Sequence, residues 1–348
     1  MPLSISNSKA RAPDGSWLKI WVVGIAIALL LLGAWELFWR AQGHHPTVTD
    51  DLKLWSHHRA QVYKHGADTI VLAGSSRIQL DVDVGTLKQT FPNKHIIQLA
   101  LNARGPVATF KDLALDPEFN GTVIVSALPL KLGRRFWDDQ HGAAWDNQQS
   151  YVDHYRKQFR LNERLNRLVR TFLQDTLVLK TPELSLKKTL LPLVLSQQLP
   201  EPFYVRMHPD RSIAANYDML DLHTYRVLRM KTQTDEYDNH RPHPSPAAWL
   251  NDMRTIETYV QALLGRGGKA IFVRLPTTGP LYQLDQERYP KDLYWDKWAA
   301  LTKAATLHFA DYKDLSAFEC PDYSHLEAQD RKRFTSVLFK KFNALGAL

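Results

Sequence analysis

Thr69-Ile70-Val71-Leu72-Ala73-Gly74-Ser75-Ser76-Arg77 is a short apolar run that ends in a Gly-Ser-Ser turn. Its first five residues have strand length and β-branched character, the pattern of a strand covered on both faces as in a parallel sheet. The turn hands the chain to a helix expected from about Arg77, which leaves Ser76 at a strand-to-helix corner. Strand and helix signals then alternate. Val84–Thr90 reads as a helix, His95–Leu99 as a strand, Pro106–Leu115 as a helix and Thr122–Ala127 as a strand. After a long interruption the alternation resumes. A helix over Ala247–Leu264 is followed by a strand at Ala270–Leu275, a helix near Leu293–Ala304, a strand at Thr306–Phe309 and a closing helix over Leu326–Asn343. Five strands interleaved with helices predict an α/β fold with a doubly wound, mostly parallel sheet, flavodoxin-like in its layout.

The interruption, about 131–245, carries basic amphipathic helix signals, with Leu161, Leu165, Leu168 and Phe172 at helical spacing within Tyr155–Leu173. It reads as a helical insertion or lid. Its arginines (Arg156, Arg160, Arg164, Arg167, Arg170) suit either an anionic lipid or polymer surface or a plain solvated face.

Ahead of the α/β pattern, Trp17–Trp39 is an apolar stretch with no charge from Ile20 to Trp35. Its 23 residues would cross a hydrocarbon core of ~30 Å. Trp17 and Trp21 at one end, and Trp35 and Trp39 at the other, sit where interfacial aromatic belts belong. The competing reading, a cleaved signal peptide, calls for a shorter apolar core and a small-residue cleavage site, and Glu36-Leu37-Phe38-Trp39-Arg40 offers none. Lys9, Arg11 and Lys19 precede the charge-free core, so the expected order is a cytoplasmic tail over 1–16, a transmembrane signal anchor over 17–39, a connector over 40–65 and an extracytoplasmic body over 66–348. In a bacterial envelope that body is periplasmic and the anchor lies in the inner membrane.

Composition narrows the function classes. Hydrophobic residues at 44% and charged residues at 23% are those of an ordinary globular body. The net charge of +8 comes without an RNA-binding motif, zinc-finger spacing or Lys-rich tail, so no nucleic-acid partner is expected. One cysteine, Cys320, rules out an intrachain disulfide and a Cys-rich zinc site. The pairs His44-His45 and His57-His58 lack the carboxylates and spacing of a closed metal shell. Neither cofactor nor metal is expected.

The chemistry-bearing residues lie at the two ends of the α/β pattern. Ser76 follows the first strand, and Asp322 and His325 stand three residues apart near the last helix. A serine hydroxyl needs a base, and an imidazole held by a carboxylate is that base. The amides of Ser76 and Arg77, with Asn102 or the Ala103 amide just past the second strand, are the candidate oxyanion donors. Each piece also has a plain reading. Gly-Ser-Ser is a common turn, Ser75 or Ser76 would serve as an N-cap, Asp322 would cap the last helix, and Asp138–His141 repeats the Asp-x-x-His spacing.

Gly74-Ser75-Ser76-Arg77 and Asp322-Tyr323-Ser324-His325-Leu326 resemble the first and last blocks of the SGNH/GDSL hydrolase superfamily, in its membrane-anchored bacterial acyltransferase-like branch. Leu99-Ala100-Leu101-Asn102-Ala103-Arg104-Gly105-Pro106 resembles the second block, with Ala103 where a glycine is usual. The third block, Gly-x-Asn-Asp, is absent, since Ser126-Ala127-Leu128-Pro129-Leu130 follows the third strand. The likeness covers roughly 65–130 and 245–348. It implies Ser76 as nucleophile, His325 as base and Asp322 as its partner, in a serine acyltransferase or esterase acting on O-acyl groups of a cell-surface polysaccharide. It also implies a membrane-bound O-acyltransferase partner, as for proteins of alginate O-acetylation and teichoic-acid D-alanylation. The alternative is a non-catalytic scaffold or carbohydrate-binding component of a polysaccharide modification or export complex.

Overall fold

The first strand, β1 (Thr69–Ala73), is buried at every position, because both of its faces are covered. The structure is a computed structural model and describes residues 16–138, 140–141, 146–158, 161–185, 188–189, 194–195 and 198–348. Lys9, Arg11 and Arg160, and the side chains of Leu161 and Arg164, lie outside the described residues. Ile70 and Leu72 point into one core layer, with Ile78, Leu307 and Phe334. Val71 and Ala73 point into the other, with Trp55, Phe110 and Trp249. This period-two division continues through β2 (His95–Gln98), β3 (Thr122–Ser126) and β6 (Lys269–Arg274).

The five strands run parallel in the order β2-β1-β3-β6-β7, with β7 at Ala305–His308. In register, Val71 lies beside Ile97 on one side and Val123 on the other. The order reverses direction at β1, so β1 and β3 flank the crevice where open α/β sheets take their ligands.

In chain order the helices are α1 (Trp17–Ala41), α2 (Leu52–Arg59), α3 (Ser76–Asp81), α4 (Val84–Thr90), α5 (Val107–Ala114), α6 (Pro129–Leu132), α7 (Gln149–Gln158) and α8 (Leu161–Thr176). They continue with α9 (Leu222–Asn239), α10 (Pro246–Leu264), α11 (Gly279–Arg288), α12 (Trp295–Ala299), α13 (Lys313–Ser316) and α14 (Arg331–Ala344). α1 is 25 residues long, with a mean hydropathy of 2.2 over its most apolar window, and none of that window is buried. Among the described residues it is the one helix long and apolar enough to cross a membrane.

Several elements differ from the sequence reading. The polar connector, which carries α2, packs onto the body. Val48 donates its amide to the Met207 carbonyl at 3.1 Å, His44 is buried, and Arg211 pairs with Asp50 at 2.8 Å. One histidine of each pair is spent on structure: His44 Nε2 lies 3.0 Å from the Pro200 carbonyl and His58 Nε2 2.9 Å from that of Pro209. Burial pushes His58 down to about 3. Within Tyr155–Leu173 the described residues are helical and fall in α7 and α8. The insertion is not wholly helical, since β4 (Val205–Met207) and β5 (Ile213–Ala215) form an antiparallel hairpin. The helix expected near Leu293–Ala304 shrinks to α12, while α11 falls in a stretch where no element was expected. The last helix starts at Arg331 rather than Leu326, which leaves Asp322 and His325 in the turn before it.

Candidate active site

Ser76 is the first residue of α3, directly beyond the carboxyl end of β1. Gly74 makes that corner possible. Its φ is 148°, and a Cβ there would stand 2.6 Å from the Ser126 Cβ and 2.9 Å from Ile78 Cγ2. Gly74→Ala is therefore expected to destabilise the fold by about 2–4 kcal/mol, combining backbone strain and overpacking. Urea denaturation of the two proteins measures it, and an unchanged midpoint would mean the corner relaxes freely.

Across the site, Asp322 and His325 form a self-contained turn. One carboxylate oxygen of Asp322 accepts the amides of Ser324 (2.9 Å) and His325 (2.7 Å), and the other accepts His325 Nδ1–H at 2.8 Å. With Nδ1 as donor, Nε2 is left as acceptor, and the Ser76 hydroxyl lies 2.8 Å from it. The chain thus closes a Ser–His–Asp line between residues 249 positions apart.

The plain readings fit less well. Ser75 occupies the N-cap of α3 without a side-chain cap bond, and the N-cap of α14 is Asp330, not Asp322. Asp138 and His141 close the same kind of pair at 2.6 Å on the surface. The spacing alone therefore means little. His325 is set apart by the serine on its far nitrogen.

Bracing residues that sequence reasoning passed over hold this line. Asp81, at the other end of α3, accepts the Leu326 amide at 2.9 Å, so the helix that carries Ser76 also clamps the residue after His325. Tyr323 is held at φ 68°, a strained conformation for an aromatic residue. Its carbonyl accepts the Thr278 amide at 3.1 Å, and the Arg226 guanidinium lies 5.1 Å from its ring centroid. Arg226 Nε also donates to the Pro321 carbonyl at 2.7 Å. Strain persists where neighbours over-determine the backbone, and such places cluster at functional sites.

Two arginines that reach this turn come from α9 in the insertion. Arg226 anchors Pro321, and Arg229 Nε stands 3.7 Å from Asp322 Oδ2. Further along α9, Glu236 pairs with Lys131, and Tyr237 bonds Asp285. Lys131 Nζ also donates to the Ala103 carbonyl at 2.9 Å. One helix therefore runs from the Asp322 turn to the second-strand turn. Arg274 is bound internally to Asp285.

The expected oxyanion residues sit on the Ser76 side. Leu101 donates its amide to the Gly74 carbonyl at 3.1 Å, which lays the Asn102–Ala103 turn beside the Ser76 corner. Asn102 and Ala103 are exposed. Ala103 has φ 61°, the conformation glycine favours, so the backbone keeps the glycine geometry where the side chain departs from it. The segment Asp146–Gln148 lines the same turn. Gly105 bridges to Asn147, and Gln148 Nε2 donates to the Gly74 carbonyl at 2.7 Å.

Electrostatically the site is set for a neutral imidazole beside an ionised carboxylate. Burial lowers the His325 pKa, and the pull of Asp322 in the other direction does not fully offset it. Burial raises that of Asp322, but the His325 pairing and its hydrogen bonds outweigh burial and hold the carboxyl well below its usual range. Asp81, fully buried, is pushed well up by desolvation. Ser76 keeps 9% exposure, against 5% for His325 and none for Asp322, so the site opens on its serine side.

Among the described residues no three His, Cys, Asp or Glu side chains group to hold a metal ion. Comparison of the chain with family models, curated proteins and solved structures returned no match.

Proposed function

We propose that this protein is a membrane-anchored serine acyltransferase or esterase of SGNH-like, doubly wound architecture, with its body on the extracytoplasmic side. The observation that carries this reading is the 2.8 Å contact of Ser76 Oγ with a His325 ring whose other nitrogen binds Asp322. In the forward step the Ser76 hydroxyl gives its proton to His325 Nε2 as Oγ attacks the acyl carbonyl carbon. The carbonyl π electrons move to oxygen, and the Ser76 and Arg77 amides with the Asn102–Ala103 turn are the donors proposed for that charge. Collapse expels the donor alcohol, which takes the proton from His325 Nε2, and leaves acyl-Ser76. An acceptor hydroxyl, or water, then repeats the sequence in reverse.

That the acyl group sits on a cell-surface polysaccharide, and that a membrane-bound O-acyltransferase supplies it, rest on the sequence resemblance. The scaffold reading draws on the absent Gly-x-Asn-Asp block and the near-closure of the triad. Incubation with an aryl acetate separates the two. The enzyme releases the aryl alcohol and builds up an acetyl-Ser76 peptide, lost in Ser76→Ala, whereas a scaffold releases none above background.

A pH profile adds a second check. The base must be deprotonated to act, so activity is lost as pH falls through the His325 pKa. Because burial lowers that pKa from 6.5, the acid limb of kcat/KM is expected below pH 6.5. A limb centred at or above that pH would contradict the assignment.

A further inference from the structure

We infer that α8 lies in the headgroup region of a lipid bilayer, with Leu165, Leu168, Val169 and Phe172 turned into the acyl boundary, so that the body rests on the membrane rather than hanging from α1. The inference rests on the reading of α1 as a membrane span.

α8 is amphipathic with its apolar face turned away from the protein. Inward, Arg167 donates to Asp51 at 3.0 Å and to the Thr49 carbonyl at 2.6 Å. One heptad on, Gln174 bonds the Thr49 hydroxyl at 2.8 Å and accepts its amide at 3.2 Å. On the opposite side, Leu165, Leu168, Val169 and Phe172 form an i, i+3, i+4, i+7 stripe, each side chain more than half exposed. A folded chain facing only water would put these four inside and the arginine outside.

The occupant follows from where α8 ends. Its last residue, Thr176, accepts Arg40 Nη2 at 2.7 Å through its carbonyl. The Glu36 carboxylate accepts the amides of Val178 (2.8 Å) and Leu179 (3.0 Å). Trp39 is buried against Val178 and Leu184. The final turns of α1 are therefore bonded to the end of α8, and a span that places Trp35 at an interface places that end at the same depth; Trp39, counted with the aromatic belt from sequence, is instead buried in the body. A second segment meets the same exit. Pro200 holds His44 at 3.0 Å, and Leu199 and Phe203 beside it are exposed. Two segments docked at one membrane exit and both showing apolar side chains match an interfacial surface. Exposed Lys180 is placed for anionic headgroups, and so is exposed Arg170, which also stands 3.7 Å from Asp51.

The test uses the full chain in vesicles of phosphatidylcholine and phosphatidylglycerol. Phe172→Cys, Leu301→Cys and Leu30→Cys each carry a thiol-linked fluorophore, the buried Cys320 remaining unlabelled. At Phe172 the label is expected to be quenched about two-fold or more by lipids bearing a nitroxide ~5–10 Å below the headgroups, the depth of an interfacial helix. Leu301, exposed on the body, is expected to answer to aqueous iodide instead. Leu30 quenched but Phe172 reached only by iodide would overturn the inference while leaving the span intact, and would leave the stripe to a protein partner. Phe172 shielded from both quenchers, in proportion to protein density, would assign the stripe to a second copy. Leu30 unquenched by mid-bilayer nitroxides would overturn span and inference together.

Discussion

His325→Ala is expected to lower turnover of an activated acyl ester by about 10⁴–10⁶-fold while leaving the folded protein intact. Loss of one member of a proton-sharing unit disables the whole unit, which sets this scale. Structurally the imidazole is a small loss. The turn that carries it is closed by backbone amides of Ser324 and His325 on Asp322 and by the Leu326 amide on Asp81, none of which needs the ring. Ser76 then faces a small cavity, and its hydroxyl has no acceptor for its proton. Steady-state kinetics beside a denaturation curve separate the two effects. A loss of under ten-fold would make His325 a packing residue.

Asp322→Asn is expected to cost on the order of 10³–10⁴-fold, by a different route. The substituted amide keeps an oxygen for the Ser324 and His325 amides, so the turn persists. Its NH₂ group, however, faces His325 Nδ1 in place of the oxygen that now accepts at 2.8 Å. The ring answers by carrying its proton on Nε2, which then points a donor at Ser76 Oγ. Serine activation fails for lack of the right tautomer, with the geometry almost unchanged. The loss should fall on kcat, because the substituted atom lies under the imidazole and out of reach of the acyl group. A variant whose KM alone rose would contradict this.

How far the sequence reached is clearest at Ser76. A five-residue apolar run, a glycine and two serines specify strand, corner and helix locally, and each of those elements forms where the pattern placed it. Asp322 and His325 were legible as a pair but not in their setting. Asp322 looks like a helix cap, yet its oxygen closes an isolated turn, and the helix waits for Arg331. The β4–β5 hairpin escaped because strands of three residues are too short to show a period.

The role of α9 was hidden for another reason. It is polar over most of its surface, so no apolar stripe announces it, and its work lies in single contacts from Arg226 and Arg229 to a turn almost a hundred residues away. For α8 the spacing of Leu165, Leu168 and Phe172 revealed a face but not what covers it. The inward Arg167–Asp51 pair shows that this face points away from the body, and it depends on a partner more than a hundred positions distant.

The most direct measurement is covalent trapping. The full-length protein is treated with a fluorophosphonate and digested, and the modified peptide is identified by mass spectrometry. A single adduct on Ser76 is expected, absent from Ser76→Ala and strongly reduced in His325→Ala. An intact, folded protein that takes no label, or takes it on a different serine, would contradict the assignment of this serine as the nucleophile.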